Sequence, residues 1–184
     1  MPRRLGAPAP PLADDEIRLD PLGARYLADF ELLMRDPEVI RNTRIPSRPV
    51  DGYATTWLGR YVEGWENGSR AGFAILGGDG SFLGFAGLVD LDLAARQGEI
   101  GYVVVQEARG RGVAGRALGL ISGWALGDLG LARVELRIDV DNEPSIKVAE
   151  RAGYRREGVL RSVYFKEDVR TDVVLYSLLA GDLE

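Results

Sequence analysis

Between Ala71 and Val105 the chain reads with a period of two, and this stretch limits the fold more than any other. Ala71 to Leu76 and Phe82 to Val89 are strand-like runs around Gly77-Gly78-Asp79-Gly80, a four-residue turn rich in formers of positive φ. A looser turn around Leu91 to Arg96 leads to a third run, Gln97 to Val105. Strands joined this closely lie antiparallel, because a parallel pair needs a crossover of about a dozen residues or more. The middle of the chain is therefore an antiparallel meander.

The flanking segments add helices. Ile17 and Leu19 alternate around Arg18 as a short first strand. Leu22 to Met34 carries a helical stripe at Leu22, Tyr26, Leu27, Phe30, Leu33 and Met34, and Asp36-Pro37 is expected to end it. A second helix is predicted from about Asp51 to Glu66, with Trp57, Leu58, Tyr61, Val62 and Trp65 on one face. After the meander come a helix from about Gly112 to Leu126, a strand Arg133 to Ile138, and a short helix from about Pro144 to Ala152 that Gly153 stops. Strands near Tyr154 to Leu160 and Asp172 to Leu178 close the chain. The fold class is α+β: a mixed, largely antiparallel sheet of six to seven strands with helices on both faces. With 184 residues a single domain is expected, spanning 14–184. Residues 1–13, with Pro2, Pro8, Pro10 and Pro11, read as a flexible tail and lack the apolar core of a signal peptide.

What is missing narrows the chemistry. There is no histidine and no cysteine, so Ser-His-Asp and Cys-His catalysis, disulfides and the usual zinc sites are excluded, and no metal is expected. A net charge of −5 argues against nucleic acid as a partner. No run approaches the roughly 18 apolar residues of a membrane span, which leaves the cytoplasm as the default location. Catalysis must use carboxylates, hydroxyls, amides, Lys/Arg and backbone N–H groups.

One segment has the makings of an anion site. Gln106-Glu107-Ala108-Arg109-Gly110-Arg111-Gly112-Val113-Ala114-Gly115 joins the strand ending Val103-Val104-Val105 to the next helix. Its glycines let backbone approach a ligand, the helix start offers free N–H groups, and Arg109, Arg111 and Arg116 add phosphate-matched donors. Solvated arginines on a tight turn are the plain alternative. Gly110-x-Gly112-x-x-Gly115 satisfies the dinucleotide fingerprint, but that motif belongs on the first strand of a parallel βαβ sheet, and here hairpin-linked strands precede it. The Walker pattern fails because Arg116-Ala117 stands where Lys-[Ser/Thr] is needed.

A third pattern fits. Arg109-Gly110-Arg111-Gly112-Val113-Ala114 resembles the acetyl-CoA loop [Gln/Arg]-x-x-Gly-x-[Gly/Ala] of the GCN5-related N-acetyltransferases, the GNAT superfamily. Four more stretches keep the likeness in register: Gly98-Glu99-Ile100-Gly101-Tyr102, Asp141-Asn142-Glu143-Pro144-Ser145, Glu150-Arg151-Ala152-Gly153-Tyr154 and Asp172 to Leu179. Together they resemble the branch that includes the ribosomal-protein N-terminal acetyltransferases, over roughly Ile17 to Leu179. The resemblance implies that the fourth and fifth strands, Gln97 to Val105 and Arg133 to Ile138, splay apart. The backbone of Val103 and Val105 is then expected to pair with the pantetheine arm of CoA, with an N–H near Val104 polarising the thioester. It also implies that Asn142 bonds that arm, that Ser145 lies near the sulfur as acid, and that Arg151 reaches the phosphates.

Each role has a competitor. Asn142 and Ser145 are also good helix-start residues, and Arg151 suits the last turn of any helix. Many members carry a tyrosine acid where this chain has Ala149, so Ser145 is the substitute. Glu99 is the acidic candidate near the acceptor, or a hydrogen-bonded sheet residue. Trp57, Tyr61 and Trp65 wall the acceptor pocket or pack in the core, and Arg41 to Ser47 matches the stretch that shapes acceptor choice. The expected reaction is direct transfer of acetyl from acetyl-CoA to a primary amine, of a small molecule or a protein N-terminus, without a covalent enzyme intermediate. A non-catalytic CoA-binding domain of the same fold and a dinucleotide-binding oxidoreductase are the rivals; a homodimer is left open.

Overall fold

The computed structural model describes residues 5–182. Its strands are β1 (Leu12–Ala13), β2 (Ile17–Pro21), β3 (Ala71–Gly77), β4 (Phe82–Asp92), β5 (Gln97–Val104), β6 (Arg133–Asp139), β7 (Arg155–Lys166) and β8 (Val169–Leu179). They form one sheet in the order β1-β2-β3-β4-β5-β6-β8-β7, antiparallel throughout except between β5 and β6. The helices are α1 (Leu27–Leu33), α2 (Pro37–Asn42), α3 (Tyr53–Asn67), α4 (Val113–Leu126) and α5 (Glu143–Arg151). Among the described residues no helix is long and apolar enough to cross a membrane.

Both faces of the sheet are covered, which explains why β3 is apolar without alternation. Phe73 and Ile75 belong to a core cluster with Ala117, Leu118, Ile121 and Trp124 of α4. Ala74 and Leu76 point the other way, into a cluster with Phe30 and Leu33 of α1 and Leu58 and Tyr61 of α3. Each fully buried Leu, Ile or Phe here stabilises by about 1.5–3 kcal/mol, so the helices are held by packing more than by propensity.

The structure departs from the sequence expectations in four places. Asp36-Pro37 ends one helix but also begins another. Asp36 Oδ1 accepts from the N–H of Glu38 (2.8 Å) and proline sits at the first helical position, so the pair starts α2. The helix read as Leu22 to Met34 is a 3₁₀ turn, Ala24–Tyr26, followed by the shorter α1. Val62 is 43% exposed, and Ala54 takes its place on the buried face of α3. The tail is also not loose over 5–13: Leu5 is buried, its N–H donates to Trp65 O (2.9 Å), and Leu12–Ala13 pairs with β2 as an eighth strand. Two residues of pairing and one anchoring leucine are too little for a periodic signal. Residues 1–4 of the expected tail lie outside the described residues.

The topology opens a cleft. β5 and β6 pair only at Gln97↔Arg133, Gly98↔Val134 and Glu99↔Glu135. Past Glu99, β5 stays with β4 as far as Gly84↔Val104, while β6 stays with β8 as far as Asp139↔Val173. The sheet thus forks, and α4 and α5 both begin beyond its open end, one after each arm.

Candidate active site

The loop at the end of β5 takes its shape from two glycines. Gly110 and Gly112 have φ of +72° and +80°, a region that side chains rarely adopt, and Gly112 in this conformation is the N-cap of α4. The first helical bond runs from Arg116 N–H to Gly112 O (3.1 Å), so the N–H groups of Val113, Ala114 and Gly115 have no helical acceptor. A Cβ added at Gly110, Gly112 or Gly115 would meet nothing within 4 Å. The loop therefore borders open space with donors turned to it, as an anion site requires.

The loop arginines behave differently from expectation. Arg109 Nη2 and Nη1 contact Asp36 Oδ2 (2.5 Å) and Glu38 Oε2 (2.6 Å), and its Nε donates to Val104 O (3.2 Å). It ties the loop to the start of α2. Arg116 pairs with Asp14 (3.0 Å). Arg111 lines a separate small cavity with Gly77, Gly78, Asp79 and Ser81. The basic patch inferred from sequence is largely neutralised by acids from distant parts of the chain.

The edge of β5 is offset by one residue from expectation. Val105 N–H donates to Leu83 O (3.0 Å) and its carbonyl accepts from Ala108 N–H (3.0 Å), so the backbone of Val105 is fully used. Val103 faces Phe85 in the same register. Because bonding alternates along an antiparallel strand, Val103 turns its backbone to β4, and Tyr102 and Val104 turn theirs to the open side. The edge open to the fork consists of Tyr102 and the N–H of Val104, whose carbonyl is taken by Arg109 Nε, not of Val103 and Val105.

Two cavities, each of about 490 Å³, occupy the fork. The first, the donor cavity, is lined by Val103, Val104, Arg109, Gly110, Gly112, Val113, Ala114, Gly115, Asn142, Ser145 and Arg151, nearly all the residues proposed for CoA. Lys147, which sequence reasoning missed, adds a cation beside Arg151. The second, on the α1–α3 side, takes its walls from Phe30, Trp57, Tyr61 and Phe85, whose rings lie 4.5–5.6 Å apart. Trp57 and Tyr61 are both core and pocket wall. Trp65 is core alone, against Phe73 and Trp124. Asn42, Thr43, Tyr102, Val103, Asn142 and Ser145 line both cavities and mark where they meet.

At this junction Asn142 Oδ1 accepts from Ser145 N–H (3.2 Å), so Asn142 is the N-cap of α5 as well as a lining residue. Tyr102 Oη donates to Ser145 O (3.3 Å), and burial pushes the Tyr102 hydroxyl up to about 12. Both bonds use Ser145 backbone, and its hydroxyl is outside them. Tyr102 carried no expected role because, read within a strand, it is one more alternating apolar residue. Ala149 is wholly buried against the α4 side and faces no cavity.

Glu99 sits at the crotch of the fork, the last β5 residue paired with β6. Its side chain is 12% exposed and Oε2 lacks a hydrogen-bond partner; the Nε of Arg137 is 3.5 Å away, near enough for attraction but not a hydrogen bond. Burial pushes its carboxyl up from 4.5 to about 7, against the pull of Arg137 and Arg44. An unpaired buried acceptor facing a cavity is suited to a cation or to a proton in transit. The 41–47 segment lies opposite, with Asn42, Thr43, Arg44 and Ile45 in the lining. The tip of the β7–β8 hairpin fastens it: Ser47 N and Oγ donate to Glu167 (2.7 and 2.6 Å), and Lys166 Nζ donates to the carbonyls of Ile40 and Thr43.

Comparison with known proteins agrees with this geometry. A family model described as an acetyltransferase (GNAT) domain matches residues 16–155. The Bacillus subtilis (strain 168) protein YdaF, named as a candidate ribosomal N-acetyltransferase, is 35% identical over 128 residues, 70% of this chain and 67% of YdaF. The crystal structure of a candidate acetyltransferase from T. thermophilus matches with a TM-score of 0.80 at 29% identity, covering 94% of this chain and 90% of that one. The spermidine N-acetyltransferase of Vibrio cholerae, in complex with CoA and spermine, reaches 0.81 at 17% identity, covering 93% of this chain and 100% of that one. That last likeness speaks for the fold alone.

Proposed function

The chain belongs to the GNAT acetyltransferase family, and we propose that it transfers acetyl from acetyl-CoA to a primary amine by direct attack, with the α-amine of a protein N-terminus as the acceptor type. The observation that carries this reading is the meeting of the two cavities at Tyr102, Val103, Asn142 and Ser145, with the buried carboxylate of Glu99, whose Oε2 lacks a hydrogen-bond partner, in one and the loop N–H groups in the other. Pyrophosphate would rest on the N–H groups of Val113, Ala114 and Gly115, aided by Lys147 and Arg151, and the pantetheine arm would lie along Tyr102 and Val104.

Chemistry then follows at the junction. The neutral amine attacks the thioester carbonyl carbon, and the Val104 N–H stabilises the oxygen as it gains charge. The C–S bond breaks, and the proton lost by the amine passes to Glu99 directly or through water; Ser145 passes a proton to the thiolate and regains one from the solvent, to which Glu99 releases its own. An α-amine near 8 is about one-tenth neutral at pH 7, whereas a lysine near 10.4 is neutral in less than about one part in a thousand. A carboxylate held near 7 is well matched to the first and poorly to the second. The name borne by YdaF, a candidate ribosomal N-acetyltransferase, supports a protein amine as the acceptor.

The test is release of CoA from acetyl-CoA with two otherwise identical peptides. One has a free α-amine and no lysine; the other has a blocked N-terminus and one lysine. Turnover of the first is expected. Preference for the second removes the α-amine assignment, and no release with either removes a peptide as the acceptor.

A further inference from the structure

The charges of the acceptor cavity are unevenly matched. Arg44, Arg60, Arg70 and Arg137 line it, against Asp90, Glu99 and Asp139. Arg137 is already engaged, with Nη2 and Nε 2.8 and 3.1 Å from Glu135 Oε1. Arg44, Arg60 and Arg70 form no salt bridge among the described residues. Two of them are held in place by rings: Arg44 lies 4.4 Å over Tyr164, and Arg70 lies 5.6 Å from the Tyr61 centroid. Those rings are themselves fixed, Tyr61 by burial and Tyr164 by donating to Arg137 O (3.1 Å). A guanidinium over a ring face is held by its carbon and can turn edge N–H groups to a carboxylate in bidentate fashion. On the acidic side, Asp139 Oδ1 accepts from Asp141 N–H (3.1 Å) and Glu99 faces Arg137, which leaves Asp90 for any second ammonium.

We infer that the acceptor carries a carboxylate within a residue or two of its reacting amine, received by Arg44 and Arg70 with Arg60 at the mouth. Acetyl transfer to an amine, as proposed above, is the premise. A polyamine is served less well: its extra ammonium groups would face three cations with Asp90 as the one carboxylate left to them, and like charges brought together repel. The carboxylate has two sources, the C-terminus of a very short peptide or an acidic side chain at the second position of a longer one.

The experiment compares acceptors that differ by one charge, using the intact chain and acetyl-CoA with CoA release as the signal. Alanyl-alanine is set against its C-terminal amide, seryl-aspartyl-alanine amide against seryl-asparaginyl-alanine amide, and spermidine is added as the polycation. The carboxylate form is expected to have the higher kcat/KM in at least one pair by about tenfold, the usual strength of a hydrogen bond to a charged group; the pair that shows it identifies the source. Arg44→Gln with Arg70→Gln should bring that ratio towards one. The ratio is taken within each variant, so a general loss of activity cancels, and Arg44→Gln alone, at an exposed position, serves if the double variant does not fold. Equal rates within both pairs, or a preference for spermidine, overturn the inference and leave amine transfer standing. A full ratio retained by the arginine variants also overturns it. Binding of acetyl-CoA without CoA release from any of the five acceptors removes the premise as well.

Discussion

Gly115→Asp separates the proposed anion-binding role of the loop from its structural role. Gly115 is the third residue of α4, and its φ is not among the positive ones. A Cβ built there meets nothing within 4 Å, so the substitution brings neither clash nor strain. Glycine is the poorer helix former, and an acid in the first turn interacts favourably with the helix dipole by about 0.3–1 kcal/mol. In a chain of this size a gain of about 1 kcal/mol raises Tm by roughly 2–4 °C, so the folded protein is expected to be unchanged or slightly more stable. Binding moves the other way. A carboxylate about 6 Å from a phosphate at an effective dielectric of about 20 costs roughly 3 kcal/mol. Half-exposure of the site reduces that, so we take about 1.4 kcal/mol, tenfold in Kd, as the floor. Gly112→Asp would confuse the two effects, because φ is +80° there. The assay is thermal unfolding with calorimetric titration of acetyl-CoA, and Gly115→Asn reports the effect of bulk without charge. A well-folded Gly115→Asp variant with wild-type affinity would refute the assignment of pyrophosphate to this helix start.

Ser145→Ala is expected to lower kcat by about 10²-fold, the low end for general acids because a thiolate leaves fairly well unaided, with little change in KM for acetyl-CoA; full kcat would return Ser145 to a helix-start role. Glu99→Gln should move the acidic limb of the rate profile from about 7 towards the α-amine's own value near 8, read from pH–rate profiles on one acceptor. The same variant tests stability with a worked sign: Glu99 ionises near 4.5 when unfolded and near 7 when folded, so the unfolded state holds fewer protons between these values and wild-type stability falls as pH rises through them. The Tm advantage of Glu99→Gln should therefore grow from pH 4.5 to 7 and level off above. Lys147→Glu with Arg151→Glu should weaken acetyl-CoA binding and flatten its dependence on salt, because these lining cations, unlike Arg109, are exposed, and among the described residues only the exposed Glu143, 3.5 Å from Lys147, pairs with either; an unchanged salt slope would make them surface charges.

The order of elements was legible because Ala71 to Val105 is a series of short apolar runs divided by turn residues, while the segments around it carry stripes at helical spacing. Errors fall where one residue has two local meanings. Asp36-Pro37 both forbids the preceding residue from continuing a helix and supplies the cap and first position of the next, and only the second reading reveals α2. β1 escaped for a different reason: two paired residues and Leu5 gain their order from β2 and Trp65, which are distant contributions that no local pattern carries.

The site divides along the same line. Gly110, Gly112, Gly115, Asn142 and Ser145 were legible because their demands are local: positive φ, a helix start, a cap. What the arginines do is settled by residues far along the chain. Arg109, read as a phosphate partner, spends its charge on Asp36 and Glu38, more than 70 positions away. Glu99 shows the converse. Its local pattern fits an ordinary strand residue, and the upward push on its carboxyl comes from burial by residues distant in the chain. The carboxylate is buried, yet Oε2 has no hydrogen-bond partner. β5 leaves β6 immediately after Glu99, so the fork sets the edge for the donor beside the buried carboxylate for the acceptor. Closing the fork by strengthening β5–β6 pairing beyond Glu99 should abolish that edge, since Tyr102 and Val104 would then bond to β6 instead of a ligand.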